Sequence, residues 1–327
     1  MPTPDDFRPT ASWTNLRRRA ELLDKLRRFF IDRRFLEVET PVLSADVVVD
    51  RHLDPIGVTL ADDPRQPAVG RRMWLQTSPE FGMKRLLAAG APAIFQVTRA
   101  FRNAEIGPLH NPEFTMVEWY RPGDDLHGGM RLLSELAEHL LERGPAEKIS
   151  YAEAFVRHVG VDPHTASVAE LQHAAAQLQI VVPDELGEDC DGWLDLLLTE
   201  RVQPQLGQSQ PTILFDYPAS QAALSQVRPG SPAVAERFEL YVDGVELANG
   251  YHELLDPAVL RARNAAANEQ RAAEGKPRLP EESRLLTAME VGLPSCAGVA
   301  LGFDRLVAIA VGATRLSQAM AFPIDSA

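Results

Sequence analysis

Apolar positions recur along this chain with two periods, and each change of period marks an element. Leu16, Ala20, Leu23, Leu26 and Phe30 return at helical spacing, with Thr14 or Asn15 placed to cap the start, which predicts an amphipathic helix. Residues 35–41 form a short strand-like run closed by Pro41, which cannot donate to a ladder, and residues 73–76 form another. Ser78-Pro79-Glu80 then supplies an N-cap, a first-turn proline and a first-turn acid for a helix running through Lys84 to Leu87. From 94 to 102 the pattern alternates, Phe95, Val97, Arg99 and Phe101 against Gln96, Thr98, Ala100 and Arg102, which predicts a strand. A loop at 103–112 leads to a second strand at 113–120, in which Phe114, Met116, Glu118 and Tyr120 share one face. An aromatic plate, a carboxylate and a phenol therefore point the same way, with the guanidinium of Arg102 opposite.

Residues 126–235 read as a peripheral insertion, with helical patterns at 130–143, 168–178 and 193–202 and one strand-like run at 212–217. Helical patterns return at 259–274, at 285–291 and after Arg305. The segments that carry chemistry are thus 73–120 and 238–305.

Composition narrows the class. With 327 residues, 45% hydrophobic and 24% charged, the chain is globular, of about two units or one large α/β unit. Collagen-like, disordered and disulfide-framework classes are excluded. The only cysteines, Cys190 and Cys296, are too few for a cysteine-rich metal site or a secreted scaffold. The apolar run at 306–313 falls short of the ~20 residues that span a bilayer, and no signal pattern opens the chain. A cytoplasmic protein without a membrane partner is expected. The net charge of −13 makes it a poor general binder of nucleic acid. Residues 17–34 nonetheless hold eight basic side chains (Arg17, Arg18, Arg19, Lys25, Arg27, Arg28, Arg33, Arg34) against Glu21, Asp24 and Asp32. That stripe is either a solvated helix face or a docking surface for an acidic partner.

Two nucleotide motifs and one zinc motif are absent. Gly275-Lys276 is followed by Pro277, so no P-loop forms, and no G-x-G-x-x-G follows a strand. His252-Glu253 lacks the second histidine of H-E-x-x-H, its place being taken by Asp256.

The strand-loop-strand, Phe101-Arg102-Asn103 and then residues 110–120 (His-Asn-Pro-Glu-Phe-Thr-Met-Val-Glu-Trp-Tyr), resembles motif 2 of class II aminoacyl-tRNA synthetases, in their lysine branch. Residues 35–43 with Pro41 resemble motif 1, the dimer-forming element, and residues 298–305 resemble motif 3. Thr77-Ser78-Pro79-Glu80 and the block at 246–254 are also similar to the lysine branch. Motif 1 begins within the first ~40 residues, so no N-terminal OB-fold anticodon-binding domain is expected, and residues 1–327 are expected to form one catalytic domain. That architecture, with Glu118-Trp119-Tyr120-Arg121-Pro122 and Gly298-Val299-Ala300-Leu301-Gly302, is similar to the elongation factor P (R)-β-lysine ligase family, a truncated lysyl-tRNA synthetase paralogue.

The resemblance implies an α+β fold, a mainly antiparallel sheet flanked by helices, working as a homodimer. It implies adenylation of (R)-β-lysine by ATP and transfer to a lysine of elongation factor P. Adenylation develops negative charge at phosphorus, so guanidinium groups and Mg²⁺ are the expected stabilisers. Arg102 is expected at the α-phosphate and substrate carboxylate, Arg305 at the γ-phosphate, Phe114 against adenine, and His110 near ATP. Glu246 and Glu253, of opposite strand parity, are expected to share one face through a kink or bulge at Asn249-Gly250 and to hold Mg²⁺. Glu118, Tyr120 and Glu290 are expected at the ε-ammonium, Glu80 at the other amino group, and Asn249 among the substrate ligands. Glu80 and Lys84, one helical turn apart, are also placed simply to pair, and Arg305 to pair with Asp304. Ala300 stands where lysyl-tRNA synthetases carry glycine, and its methyl group is expected to favour a moved amino group. Ala104 stands where that motif places glutamate, with Glu105 next as a shifted candidate. Two rivals remain: a free-standing lysine-activating enzyme with tRNA or another acceptor, tRNA itself not being the expected partner, and a non-catalytic regulatory subunit.

Overall fold

The structure, a computed structural model, describes residues 7–183 and 186–327. In chain order the strands are β1 (Leu36–Glu37), β2 (Leu43–Ser44), β3 (Gly57–Ala61), β4 (Gly70–Leu75), β5 (Ile94–Phe101), β6 (Glu113–Pro122), β7 (Glu147–Ser150), β8 (Thr212–Pro218), β9 (Val227–Arg228), β10 (Val234–Val242), β11 (Val245–His252) and β12 (Cys296–Gly302). The α-helices are α1 (Trp13–Asp32), α2 (Glu80–Ala88), α3 (Leu126–Leu141), α4 (Tyr151–His158), α5 (Val168–Gln177), α6 (Cys190–Leu197), α7 (Pro257–Ala273), α8 (Arg284–Val291) and α9 (Phe303–Ala310). They fall into two compact units. The first holds 1–123, 255–295 and 300–327, and the second holds 124–254 and 296–299.

In the first unit β5 is flanked by β1, in parallel, and by β6, in antiparallel, and a separate sheet has the order β2-β4-β3. Helix α1 is capped by Ser12, whose hydroxyl accepts from Asn15 N at 3.2 Å, two residues before Thr14 and three before Asn15, the caps expected from sequence. It buries Leu22, Leu26, Phe29 and Phe30. Phe30 stacks on Phe95 at 4.7 Å and meets Trp119 at 5.1 Å, and Phe95 and Trp119 are themselves registered partners on β5 and β6. One face of this ladder is thereby closed by an aromatic core. The strand expected at 35–41 is only two residues long; Val38 N still donates to Phe95 O at 2.9 Å, and residues 39–41 run on without strand structure.

In the second unit the strands run β11-β10-β8-β7, with β9 on β10. The run at 212–217 is therefore a sheet strand, hydrogen-bonded on both sides. Helices α4, α5 and α6 pack with β8 around a core that includes Tyr151, Phe155, Trp193, Leu197 and Tyr217. Inside it the buried Glu239 carboxylate accepts from Tyr217, Tyr241 and Arg237. On the other face of β10, Phe238 lies across from Gly250. A Cβ at Gly250 would stand 2.4 Å from the Phe238 ring and 2.9 Å from Val299, so this glycine permits the close approach. Gly250→Ala is expected to destabilise the protein by about 1–3 kcal/mol through overpacking. A urea unfolding curve checks it: a lower midpoint at unchanged slope is expected.

Candidate active site

The registered pairs of β5 and β6 put Phe114, Met116, Glu118 and Tyr120 on one face, across from Ala100, Thr98, Gln96 and Ile94. At its centre the Glu118 side chain is buried at 2% exposure. Ser78 Oγ donates to one carboxyl oxygen at 2.8 Å and the Tyr120 hydroxyl to the other at 2.5 Å. Ser78 also accepts from Glu80 N at 3.0 Å, so one hydroxyl ties the first residue of α2 to Glu118, although Pro79 and not Ser78 occupies the N-cap position. Glu80 is itself buried and forms an ion pair with Lys84, one turn along the same helix. Desolvation, reinforced by the like charge of Glu80, pushes the Glu118 pKa up to about 8, against the hydrogen bonds of Tyr120 and Ser78 and the Lys84 ammonium. The cluster is an acidic recess with phenol and hydroxyl donors, a chemistry suited to an ammonium ligand.

Arg102 follows β5, and its backbone N–H donates to Pro112 O at 2.9 Å, closing the loop between the strands. The guanidinium lies 5.1 Å from the centroid of the Phe114 ring and 3.8 Å from Glu105. Its Nε is buried without a hydrogen-bond partner among the described residues. An orphaned guanidinium donor beside an aromatic plate fits the anionic and planar parts of a nucleotide. Ala104 has φ +62°, a left-handed conformation costly for alanine, and this turn brings Glu105 rather than the residue before it back towards Arg102.

At the start of α9, Arg305 Nε donates to Leu109 O at 3.2 Å and its Nη2 meets His110 Nε2 at 2.7 Å. Partial burial and the Arg305 charge lower the His110 pKa, so the ring accepts at neutral pH. Asp304 is engaged elsewhere: it pairs with Arg19 at 2.6 Å and accepts from Thr115 N at 2.6 Å. Arg305 thus faces the loop between β5 and β6, and the loop's Pro108 O accepts from Leu316 N at 2.8 Å.

In the second unit the bulge in β11 falls at Leu247, two residues before the place expected from sequence. Leu240 pairs with Ala248 and Tyr241 with Glu246, so Leu247 is the extra residue and Glu246 shares a face with Asn249 and Tyr251. Glu253, in step with that face, is buried at 1% exposure. Asn249 Oδ1 is buried without a partner among the described residues. No group of three or more His, Cys, Asp or Glu among the described residues could hold a metal by itself. Two carboxylates alone match the requirement of Mg²⁺, which takes one or two protein carboxylates and fills its shell with phosphate oxygens and water.

The structure brings Glu80, Glu118 and Tyr120 together, Arg102, Glu105 and Phe114 together, and His110 and Arg305 together. Ala300 is half-buried on β12. Glu290 is not brought to the ammonium cluster: it is exposed on α8 and pairs with Arg261 of α7 at 2.7 Å. An acid late in a helix found a local cation instead of a ligand. Sequence reasoning gave Ser78 a cap and a place in a motif block but no bond to Glu118, and it put Arg19 in the basic stripe, whereas the structure sets Arg19 against Asp304 and Thr115. The signal available for Lys84 was its place on the apolar side of α2, among Phe81, Met83 and Leu87.

The fold and these clusters define a class II synthetase core, and the chain belongs to that family: the family described as tRNA synthetases class II (D, K and N) matches residues 6–326. Within it, the protein of Salmonella arizonae named elongation factor P–(R)-β-lysine ligase is 46% identical over 321 residues, covering 98% of each chain. The proteins of the same name from Klebsiella pneumoniae subsp. pneumoniae and Salmonella typhi are similar to the same extent, 46% over 98% of each chain. No helix among the described residues is long and apolar enough to cross a membrane.

Because Glu118 holds its proton more tightly folded than unfolded, native protein binds more protons between the usual carboxylate pKa of 4.5 and about 8. Stability therefore falls as pH rises through that window. Glu118→Gln cannot titrate, so the stability difference between variant and wild type is expected to move in favour of the variant from pH 5 to pH 8.5. Urea midpoints at the two pH values measure it, and a shift in the opposite direction would remove the assignment of a raised pKa.

Proposed function

We propose that this protein activates (R)-β-lysine with ATP and transfers it to the ε-amino group of one lysine of elongation factor P. The observation that carries the reading is the single face of β5 and β6 that bears both the buried carboxylate cluster and the Arg102–Phe114 pair. One end of that face suits an ammonium and the other suits a nucleotide. The full-length similarity to ligases of that name supports the substrate and the acceptor.

In the first step an oxygen of the substrate carboxylate attacks the α-phosphorus of ATP and pyrophosphate leaves, giving a β-lysyl-adenylate. Arg102 holds the α-phosphate and the carboxylate, its orphaned Nε being the donor to spare. Phe114 stacks on adenine, Glu105 takes a place on the nucleotide side, and His110 and Arg305 bind at the terminal phosphate end. Glu246 and Glu253 would hold Mg²⁺, and the bound ion would neutralise phosphate charge. Glu118 and Tyr120 take the ε-ammonium, Glu80 the other amino group, and Asn249 a further polar group of the substrate. In the second step the acceptor amine attacks the acyl carbon, an amide forms and AMP leaves, with no enzyme nucleophile. The Ala300 methyl narrows the amino-acid site on the side where lysyl-tRNA synthetases carry glycine, which favours the β-amino isomer. Residues 1–327 act as one catalytic domain, as a homodimer, in the cytoplasm and without tRNA.

The test is ATP–pyrophosphate exchange with (R)-β-lysine, with α-lysine and with no amino acid, followed by transfer of labelled β-lysine to elongation factor P. Exchange favouring β-lysine and label on the acceptor are expected. Exchange favouring α-lysine moves the reading to a free-standing lysine-activating enzyme, and none with either moves it to a regulatory subunit. Arg102→Ala is expected to cut exchange by about 100-fold or more. Ala300→Gly is expected to shift the β-to-α preference towards α-lysine by about tenfold, the size of one methyl group in a pocket.

A further inference from the structure

Lysine at i+4 from a glutamate is ordinarily a surface pair that contributes little, its stem on the helix and its ammonium in water. Lys84 is different: the side chain is 2% exposed and that of Glu80 11%. Enclosing a primary ammonium is costly unless its partners are fixed, and removing one member of such a pair strands the other charge. Next to this pair stands a second enclosed carboxyl group, Glu118, with Ser78 and Tyr120 as its donors. Glu80 and Lys84 approach it from α2, Tyr120 from its own strand, and the neutral Gln96 from the registered position on β5. Two carboxyl groups and one resident ammonium thus share a closed space on the face assigned to the amino-acid substrate.

We propose that Lys84 is a positioning residue for the amino-acid substrate: its ammonium pins one oxygen of Glu80 and offsets the like charge of Glu80 and Glu118, so that Glu80 keeps a set orientation and Glu118 can give up its proton when the substrate's ammonium enters. The inference rests on the reading of Glu80 and Glu118 as ammonium ligands and adds the group that keeps them usable. The pairing of Glu80 supports it. With Oε1 accepting from Lys84, the carboxylate orientation is set before substrate arrives, which leaves Oε2 for the ligand. The Lys84 charge also acts on Glu118, making its proton easier to lose when a cation enters.

The experiment is calorimetric binding of (R)-β-lysine and of α-lysine to the purified full chain at pH 8, where Glu118 is about half protonated, in two buffers of different ionisation enthalpy, so that protons released are counted with affinity. Wild type, Lys84→Met and Lys84→Arg are compared, with ATP binding and thermal unfolding as controls. Lys84→Met is expected to weaken the better-bound amino acid by about tenfold or more, to raise the protons released per ligand, and to leave ATP affinity within about twofold. Lys84→Arg, which keeps the charge but moves it, is expected to retain wild-type proton release while losing several-fold in affinity. Unchanged amino-acid affinity and proton release in Lys84→Met overturn the proposal and leave Lys84 a packing residue. Should that variant fail to fold, Lys84→Arg decides: altered affinity at wild-type proton release supports the role, and unaltered affinity overturns it. A wild type that binds ATP but neither amino acid removes the ammonium site itself, and the role of Lys84 with it.

Discussion

The eight registered pairs between β5 and β6 decide which side chains join the carboxylate cluster around Glu118 and which meet the aromatic core. A strand has a side-chain period of two, so a slip of one residue would exchange the two sets outright. Trp119 would then stand where Glu118 does, and a carboxylate would be driven against Phe30 and Phe95. The aromatic packing of α1 on the far side of the ladder makes that slip prohibitive. Placement of the carboxylate is therefore a consequence of packing on the opposite face.

The same ladder carries a second constraint through Thr115. Its backbone N–H donates to Asp304 at the start of α9, while its hydroxyl accepts from Arg19 of α1 and from Arg99 of β5. Asp304 and Arg19 complete the clamp. Four elements are fixed around one threonine, whose neighbours Phe114 and Met116 point to the other face of the strand. Arg305 follows Asp304 directly, so its position at the start of α9 is set by the Asp304–Arg19 ion pair and by the Thr115 N–H.

Charge burial sets the properties of the amino-acid end. Glu118 retains hydrogen-bond donors on both oxygens and still gains a raised pKa, because lost hydration and the nearby Glu80 outweigh them. A carboxylate arranged this way is destabilising alone and favourable once a cation enters. A buried carboxyl group of this kind is stabilised by any cation that enters beside it.

Much of this was legible in one sequence. Alternation at 94–102 and 113–120 determined the two strands and the face shared by Phe114, Glu118 and Tyr120, because side-chain direction in a strand depends only on parity. The motif blocks determined the family, since they fix local backbone and side-chain chemistry together. Partners across space were another matter. Glu290 was expected at the ε-ammonium by resemblance, and it pairs with the surface Arg261. Asp304 was adjacent to Arg305 in the chain and bonded to Arg19 instead. The β11 bulge was foreseen from parity but sits at Leu247, where the pairing with β10 absorbs the extra residue. Lys84 read as half of a surface pair until its burial was known. The sequence by itself thus determined periodicity, strand faces and the chemical inventory, which are local properties of the chain. Tertiary structure alone decided burial and pairing, because the energy of a charge depends on how much water is left around it and on which opposite charge the fold brings near.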